Sequence, residues 1–261
     1  MGLAVAFTPT GAVAASMEWL AAGRRRPGEE RLRPLLSARG EACCADERGM
    51  ILSRRDSLRL FILGATGAIG RQLLRIGLER GHELTAYVRS PQKIAPSNGP
   101  LTVVEGDVFS VAAMARSLAG HDAVLSAFGL TTVRTTTLRQ EFGRTLASAM
   151  REGGVRRVEL VSAAFLFPRI GVLGGILKPT LFRFMAPDMA NMEQEIMKED
   201  LEWTVVRPPR LTNGPLTRTY EATDGALPGS SYVISRADVA DFMIKEAEAP
   251  AHVRQIVGLA R

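Results

Sequence analysis

The run Gly64-Ala-Thr-Gly67-Ala-Ile-Gly70 constrains the fold more than any other feature of the chain. It follows directly on the apolar stretch Leu60-Phe-Ile-Leu63 and opens onto the helical pattern Ala68 to Arg80. The first glycine permits a tight turn out of a strand, and the second lets backbone N–H groups approach a pyrophosphate. The third allows close helix-to-strand packing, with the diphosphate resting on the positive helix end. Three glycines in an ordinary βα turn are the blander reading. The strand before, the helix after and a second strand ending about 20 residues on supply the context a dinucleotide turn requires.

The rest of the chain repeats the same alternation of short apolar runs and amphipathic stretches, the mark of βαβ units around a parallel sheet. Strands are predicted at Arg59 to Leu63, Glu83 to Val88, Leu101 to Glu105, Ala123 to Ala127, Arg157 to Ser162 and Trp203 to Arg207. Helices are predicted at Ala68 to Arg80, Val111 to Ala119, Thr136 to Glu152 and Asp188 to Asp200. Strands this apolar belong to a sheet covered on both faces. The fold class is therefore α/β, a doubly wound parallel sheet of Rossmann type with a small C-terminal substrate-side region. The periodicity begins near position 57. Residues 57–261 are read as one NAD(P)-binding Rossmann domain, and residues 1–56 as a poorly structured leader without sustained period. Translation starting at Met50 accounts for the leader better than a targeting role does, because no basic residue precedes its apolar stretch.

Composition closes off other classes. The chain is 46% hydrophobic and 23% charged, as ordinary globular proteins are. Its longest uncharged stretch, Gly2 to Met17, is broken by Pro9 and Gly11 and falls short of the ~20 residues of a spanning helix, so no stable membrane insertion is expected. Two adjacent cysteines, Cys43 and Cys44, make neither a disulfide framework nor a metal site, and a cytoplasmic location is expected. The net charge of +6 raises nucleic acid as a partner, but the arginines are scattered and aromatics are 6%, so none is expected. His82, His121 and His252 stand far apart; the first two follow glycines and read as solvated turn residues. Zinc, nucleophile-elbow and phosphate-loop signatures are missing.

The candidate cofactor residues lie where strands end. The turn contributes Gly64, Thr66, Gly67, Ala68, Ile69 and Gly70. At the end of the second strand, where an NAD site places an acid for the ribose 2′-hydroxyl, Arg89 stands instead, with Lys93 close by; both suit the 2′-phosphate of NADP. Asp107 and Val108 follow the third strand, with Asp107 either accepting from the adenine amine or capping the next helix. Phe128 and Gly129 follow the fourth, and Val161 ends the fifth.

Gly64-Ala-Thr-Gly-Ala-Ile-Gly70, Val88-Arg89, Gly106-Asp107-Val108, Glu202-Trp-Thr-Val-Val-Arg-Pro-Pro209 and Ile234-Ser-Arg-Ala-Asp-Val-Ala240 resemble the atypical short-chain dehydrogenase/reductases with an NAD(P)H-binding domain. The resemblance spans residues 58 to 245 and includes the flavin reductase (NADPH), or biliverdin reductase B, branch and the NmrA-like proteins. It implies NADP(H) as cofactor and hydride transfer to a small planar or apolar acceptor, such as a flavin, quinone or enone-like ketone. A non-catalytic NADP-binding redox sensor of the NmrA-like kind is the alternative. The Tyr-x-x-x-Lys acid of common short-chain dehydrogenases is absent, since Tyr87, Tyr220 and Tyr232 are followed four residues on by Pro91, Asp224 and Arg236. Where the flavin reductase pattern places serine and histidine at the substrate, this chain has Ala163 and Arg210. The catalytic candidates are therefore Arg210, to stabilise developing negative charge, and Ser162. The expected partner is a small-molecule substrate, on a monomer or homodimer. Residues 165–185 are apolar and irregular, and a lid, a membrane-surface contact and a dimer patch all fit them. The stripe Met189, Met192 and Ile196 after an N-cap at Asp188 reads as core packing.

Overall fold

The computed structural model describes residues 57–129, 137–168, 185–229 and 231–261. The leader lies outside the described residues, as does most of the apolar stretch 165–185. Leu52–Arg261 make one compact unit.

Eight strands form the main sheet. In chain order they are β1 (Arg59–Leu63), β2 (Glu83–Val88), β3 (Leu101–Glu105), β4 (Ala123–Ser126), β5 (Arg157–Val161), β6 (Glu202–Arg207), β8 (Glu221–Asp224) and β10 (Gln255–Ala260). Two short strands, β7 (Arg210–Thr212) and β9 (Val233–Ser235), pair parallel in a second, small sheet. The spatial order of the main sheet is β3-β2-β1-β4-β5-β6-β10-β8. Every pairing is parallel except the last, where β8 runs antiparallel to β10. The order reverses between β1 and β4, and ligands of open α/β sheets bind outside the carboxyl ends of strands at such a switch point.

The helices are α1 (Ala68–Glu79), α2 (Val111–Leu118), α3 (Leu138–Gly153), α4 (Ala186–Met197) and α5 (Arg236–Glu248). On one face α1 and α5 cover Leu60, Ile62, Leu125 and Val257. On the other, α2, α3 and α4 cover Phe61, Leu63, Val124 and Leu160. Each central strand sends alternate residues to opposite buried faces, so Leu60 to Leu63 and Ala123 to Leu125 read as unbroken apolar runs, whereas β5 alternates Val158 and Leu160 with the buried charges Arg157 and Glu159.

Met189, Met192 and Ile196 are buried as the stripe predicts. Asp188, by contrast, does not cap its own helix. α4 begins at Ala186 with Pro187 in its first turn, and Asp188 accepts from the backbone N–H groups of Arg139 and Gln140 at 3.3 and 3.0 Å. It caps α3 from a neighbouring helix and pairs with the Arg139 guanidinium at 3.3 Å.

His82 is likewise not a solvated turn residue. It is fully buried, its Nδ1 accepting from Leu58 N at 3.2 Å and its Nε2 facing Glu248 at 2.9 Å. His121 is half-buried between the Leu118 carbonyl and the Thr85 hydroxyl, and burial holds its pKa below the ordinary value.

A buried charge cluster ties β5 to α5 on the α1/α5 face. Arg157 Nη2 lies 3.2 Å from Glu246 Oε1 and 3.4 Å from Glu159 Oε1. Glu246 also accepts from the Ala251 and His252 backbone N–H groups, and so closes the turn into β10. Burial drives the Glu159 carboxyl well above its usual range, opposed by Arg157 and reinforced by Glu246. The folded protein thus keeps a proton that the unfolded chain releases. That contribution is fully present below the unfolded pKa near ~4.3; it is lost as pH rises through the raised folded value. The melting temperature of the parent is expected to fall as pH is raised from mildly acidic to alkaline, at about 2–4 °C per kcal/mol for a domain this size. Glu159→Gln should flatten that fall, and an unchanged slope in thermal melts across pH would show the carboxyl to be ionised throughout.

Candidate functional site

The turn after β1 is built on contacts too short for any side chain. Gly64 adopts φ +75, and a Cβ there would stand 2.5 Å from the Ala127 carbonyl oxygen at the end of β4. A Cβ on Gly70 would meet the Gly64 carbonyl oxygen at 2.1 Å. Gly67 N donates to Gly64 O at 2.9 Å and closes the turn. α1 therefore starts against the carboxyl ends of β1 and β4.

Gly67 is the N-cap of α1. It contributes no side chain, and the first turn holds no acid. The N–H groups of Ala68, Ile69 and Gly70 have no intrahelical partner, an arrangement that fits an anion. Thr66 is half-buried, and its carbonyl accepts from Arg71 Nε at 3.0 Å, which draws a cation over the turn.

Arg89 is exposed directly beyond β2, and Lys93 ends the short 3-10 turn Pro91–Lys93. Neither makes a side-chain hydrogen bond or ion pair among the described residues. Next to them Tyr87 fills the space over Gly106, where a Cβ would stand 2.1 Å from the phenol oxygen. The hydroxyl donates to Asp107 O at 3.2 Å, and burial raises the pKa of the phenol.

Asp107 does not cap α2. Its carboxylate accepts from Phe109 N at 3.0 Å in a local turn, and Ser110 caps the helix. Its second oxygen stays open to a ligand donor. Val108 is half-buried beside it, and Phe109 meets Phe128 edge-on at 6.4 Å. Phe128 stacks on Phe142 at 4.1 Å, so the region beyond β3 and β4 has an aromatic floor, with Gly129 exposed at its rim.

The remaining candidates sit beyond β5 and β6. Val161 closes β5 and packs on the α1/α5 core. Ser162 continues the ladder by donating its N–H to Val206 O at 2.7 Å, and Ala164 N does the same to Pro208 O at 3.0 Å. Among the described residues the Ser162 hydroxyl is buried without a partner, and so is that of Ser126 at the end of β4. Buried hydroxyls normally find partners, and two orphans on neighbouring strand ends mark where ligand atoms can complete the set. Arg210 begins β7 in the small sheet, exposed, its backbone N–H bound to Tyr232 O and its guanidinium without a partner among the described residues.

Two side chains that the sequence reading passed over complete the edge. Arg207, the last residue of β6, donates from Nε and Nη2 to Glu193 of α4 at 3.0 and 2.5 Å, with both residues buried. Its guanidinium lies over the Phe167 ring at 4.9 Å. The signal was present: Arg207 ends an otherwise apolar strand, and Glu193 adjoins Met192 on the buried stripe.

A tyrosine and a lysine do meet in space, but not as an acid. Lys245 Nζ is 3.3 Å from the Tyr220 hydroxyl, which donates to Asp241 at 2.9 Å. Burial and Asp241 push that phenol far up, opposite to what a proton donor needs. Among the described residues no group of three His, Cys, Asp or Glu side chains could hold a metal ion, and no helix is long and apolar enough to cross a membrane.

The chain resembles known NAD(P)H-binding proteins. A family model described as NAD(P)H-binding matches residues 64–250. YwnB of Bacillus subtilis strain 168, an uncharacterised protein, is 28% identical over 207 residues, covering 75% of this chain and 94% of its own. The solved structure of a wide-type short-chain dehydrogenase/reductase from Veillonella parvula DSM 2008, in complex with NADP, superposes with TM-score 0.66 at 20% identity. It covers 78% of this chain and 94% of that one. The oxidoreductase YlbE of Lactococcus lactis superposes with TM-score 0.67 at 21% identity, covering 78% and 91%. At these identities the structural likeness speaks for the fold.

The steric argument gives a direct check. Gly70→Ala should destabilise the domain by about 1–3 kcal/mol, because the clash is with backbone that cannot move aside. A melting temperature within ~1 °C of the parent would mean α1 does not dock as closely as described.

Proposed function

The chain belongs to the NAD(P)H-binding family, and on that premise we propose that it is an NADPH-dependent oxidoreductase that delivers hydride to a small planar or apolar acceptor. The observation that carries the reading is Arg89 beyond β2, exposed and unpaired among the described residues, together with a glycine turn whose helix has no side-chain cap and no acid in its first turn. A guanidinium there suits the 2′-phosphate, and an acid would be required to hold the free ribose of NAD. When bound, the reduced nicotinamide supplies the hydride. This chain's residues supply the rest. Gly67 to Gly70 receive the diphosphate, Arg89 and Lys93 the 2′-phosphate, and Asp107, Val108 and Phe128 flank the adenine. Gly129, Val161 and Ser162 line the nicotinamide end. Arg210, exposed near that end, faces solvent as a cation for an incoming acceptor. In this reading the protein works in the cytoplasm as a monomer or homodimer, on a small molecule rather than nucleic acid.

A non-catalytic NADP-binding redox sensor of the NmrA-like kind is the second reading. What favours it is the absence of a Tyr-x-x-x-Lys acid, with Tyr220 held as a neutral phenol by Asp241.

Two measurements test the proposal. Mixing the protein with NADPH and a panel of flavins, quinones and enones should cause acceptor-dependent loss of the reduced-nicotinamide absorbance. Tight NADPH binding with no acceptor consumed would favour the sensor. Arg89→Glu should weaken NADPH by about 10-fold or more, the scale of a charge-assisted pair of ~1.5–3 kcal/mol, and change NADH little. Equal losses for both cofactors, read by titration of cofactor fluorescence, would remove the 2′-phosphate assignment.

A further inference from the structure

The register places Ser162 beside Arg207. Val161 pairs with Val206, and the Ser162 N–H continues the ladder to Val206 O at 2.7 Å, so the next partners in step are Ser162 and Arg207. Facing residues of parallel neighbours project to the same side of a sheet. Here that is the α3/α4 side, where Glu193 meets Arg207.

Both side chains hold unused donors. The Ser162 hydroxyl is buried and unpartnered among the described residues, with the residue 7% exposed. Arg207 is 9% exposed; it commits Nε and Nη2 to Glu193 and leaves Nη1 without a hydrogen-bond partner among the described residues. Burying a guanidinium costs several kcal/mol unless it is paired, and an apolar pair of the same volume is often as stable. A bidentate pair at the carboxyl edge of the sheet, rather than mid-core, is where such a cost can serve a ligand.

We infer that Ser162 Oγ and Arg207 Nη1 form a two-donor site for one oxygen of the hydride acceptor, and that the acceptor is a conjugated carbonyl compound such as a quinone or enone. The inference rests on the proposed hydride transfer and deepens it. Glu193 cancels the charge of Arg207, so a neutral carbonyl enters without leaving a third charge unpaired. As hydride, with its two electrons, bonds to the acceptor, the C=O π pair moves onto oxygen, and the reduced nicotinamide becomes NADP+. The two donors strengthen as that negative charge grows, which is the differential binding that accelerates a reaction. One proton from solvent then completes the reduced product. Arg207 and Ser162 thereby act at the reacting oxygen, and Glu193 is a positioning residue that fixes the fork of Arg207.

The test reads charge stabilisation without turnover. The NADP+-loaded protein is titrated with 4-nitrophenol, whose phenolate oxygen mimics the developing enolate, and its ionisation is followed by absorbance. Bound to the parent, the phenol should ionise about one pH unit or more below its value in water, the scale of an opposite charge or strong donors. Ser162→Ala and Arg207→Met should each abolish most of that shift, with Arg207→Lys restoring part of it. In turnover with a quinone the same two variants should lose about 100-fold in kcat, the usual effect of deleting one such donor. An unshifted or upward-shifted ionisation in the parent, or a shift that survives both substitutions, overturns the inference even if NADPH is consumed. Conversely, a donor-dependent shift in a protein that reduces no acceptor upholds the oxygen site and removes the oxidoreductase reading. If Arg207→Met does not fold, Ser162→Ala decides alone, because that hydroxyl holds no other group in place.

Discussion

The rest of the molecule depends on the distance at which α1 starts from the sheet. Gly70 sits where even a methyl would lie 2.1 Å from the Gly64 carbonyl, and Gly64 where one would lie 2.5 Å from Ala127. Those approaches let the first helical N–H groups point out over the ends of β1 and β4 instead of into protein. They also determine what can stand around them. An acid in the first turn of α1 would satisfy the same groups, and none is present. Arg71 reaches back over the turn, and Arg89 and Lys93 follow the end of β2, cations that a positive helix end accommodates best with an anion nearby. Close packing and ligand chemistry here are one constraint.

Buried charge follows a consistent pattern. Arg139 with Asp188, Arg157 with Glu246 and Glu159, and Arg207 with Glu193 each join elements far apart in sequence. The first fixes the start of α3 against α4. The second closes the turn between α5 and β10. The third lies at the carboxyl edge and keeps one donor uncommitted. It lies level with Ser162 at the end of the neighbouring strand, and its chemistry differs accordingly.

The central architecture was legible because strands covered on both faces are largely apolar, as β1 and β4 are, and because even β5, with Arg157 and Glu159 among its five residues, keeps Val158, Leu160 and Val161. Boundaries moved by one to three residues, as at β4, α3 and α4. β7, β8 and β9 were not legible, being three or four residues long, with every residue of β8 exposed. β10 looks apolar, but the close approach of the segment after β8 to it depends on Gly258, where a Cβ would meet the Ala226 carbonyl at 2.1 Å. Nothing local reveals that contact. His82 read as a surface turn residue because its partner Glu248 lies 166 positions away.

The candidate site divides in the same way. Its cofactor half is sequential, set by glycine spacing and by the residue that ends β2, so Gly64 to Gly70 and Arg89 are visible in one dimension. Its acceptor half comes from register between β5 and β6 and from a helix packed across them. Arg210 stands out in sequence because it follows Pro208-Pro209, yet it begins a strand of the small sheet and is exposed. Arg207 is hidden as the end of an apolar run, and only the pairing of Val161 with Val206 brings it level with Ser162. An exposed guanidinium is screened by water, whereas a buried one with a fixed fork acts through a lower dielectric. Of the two arginines, the one that stabilises charge on a bound oxygen is therefore the one the fold conceals.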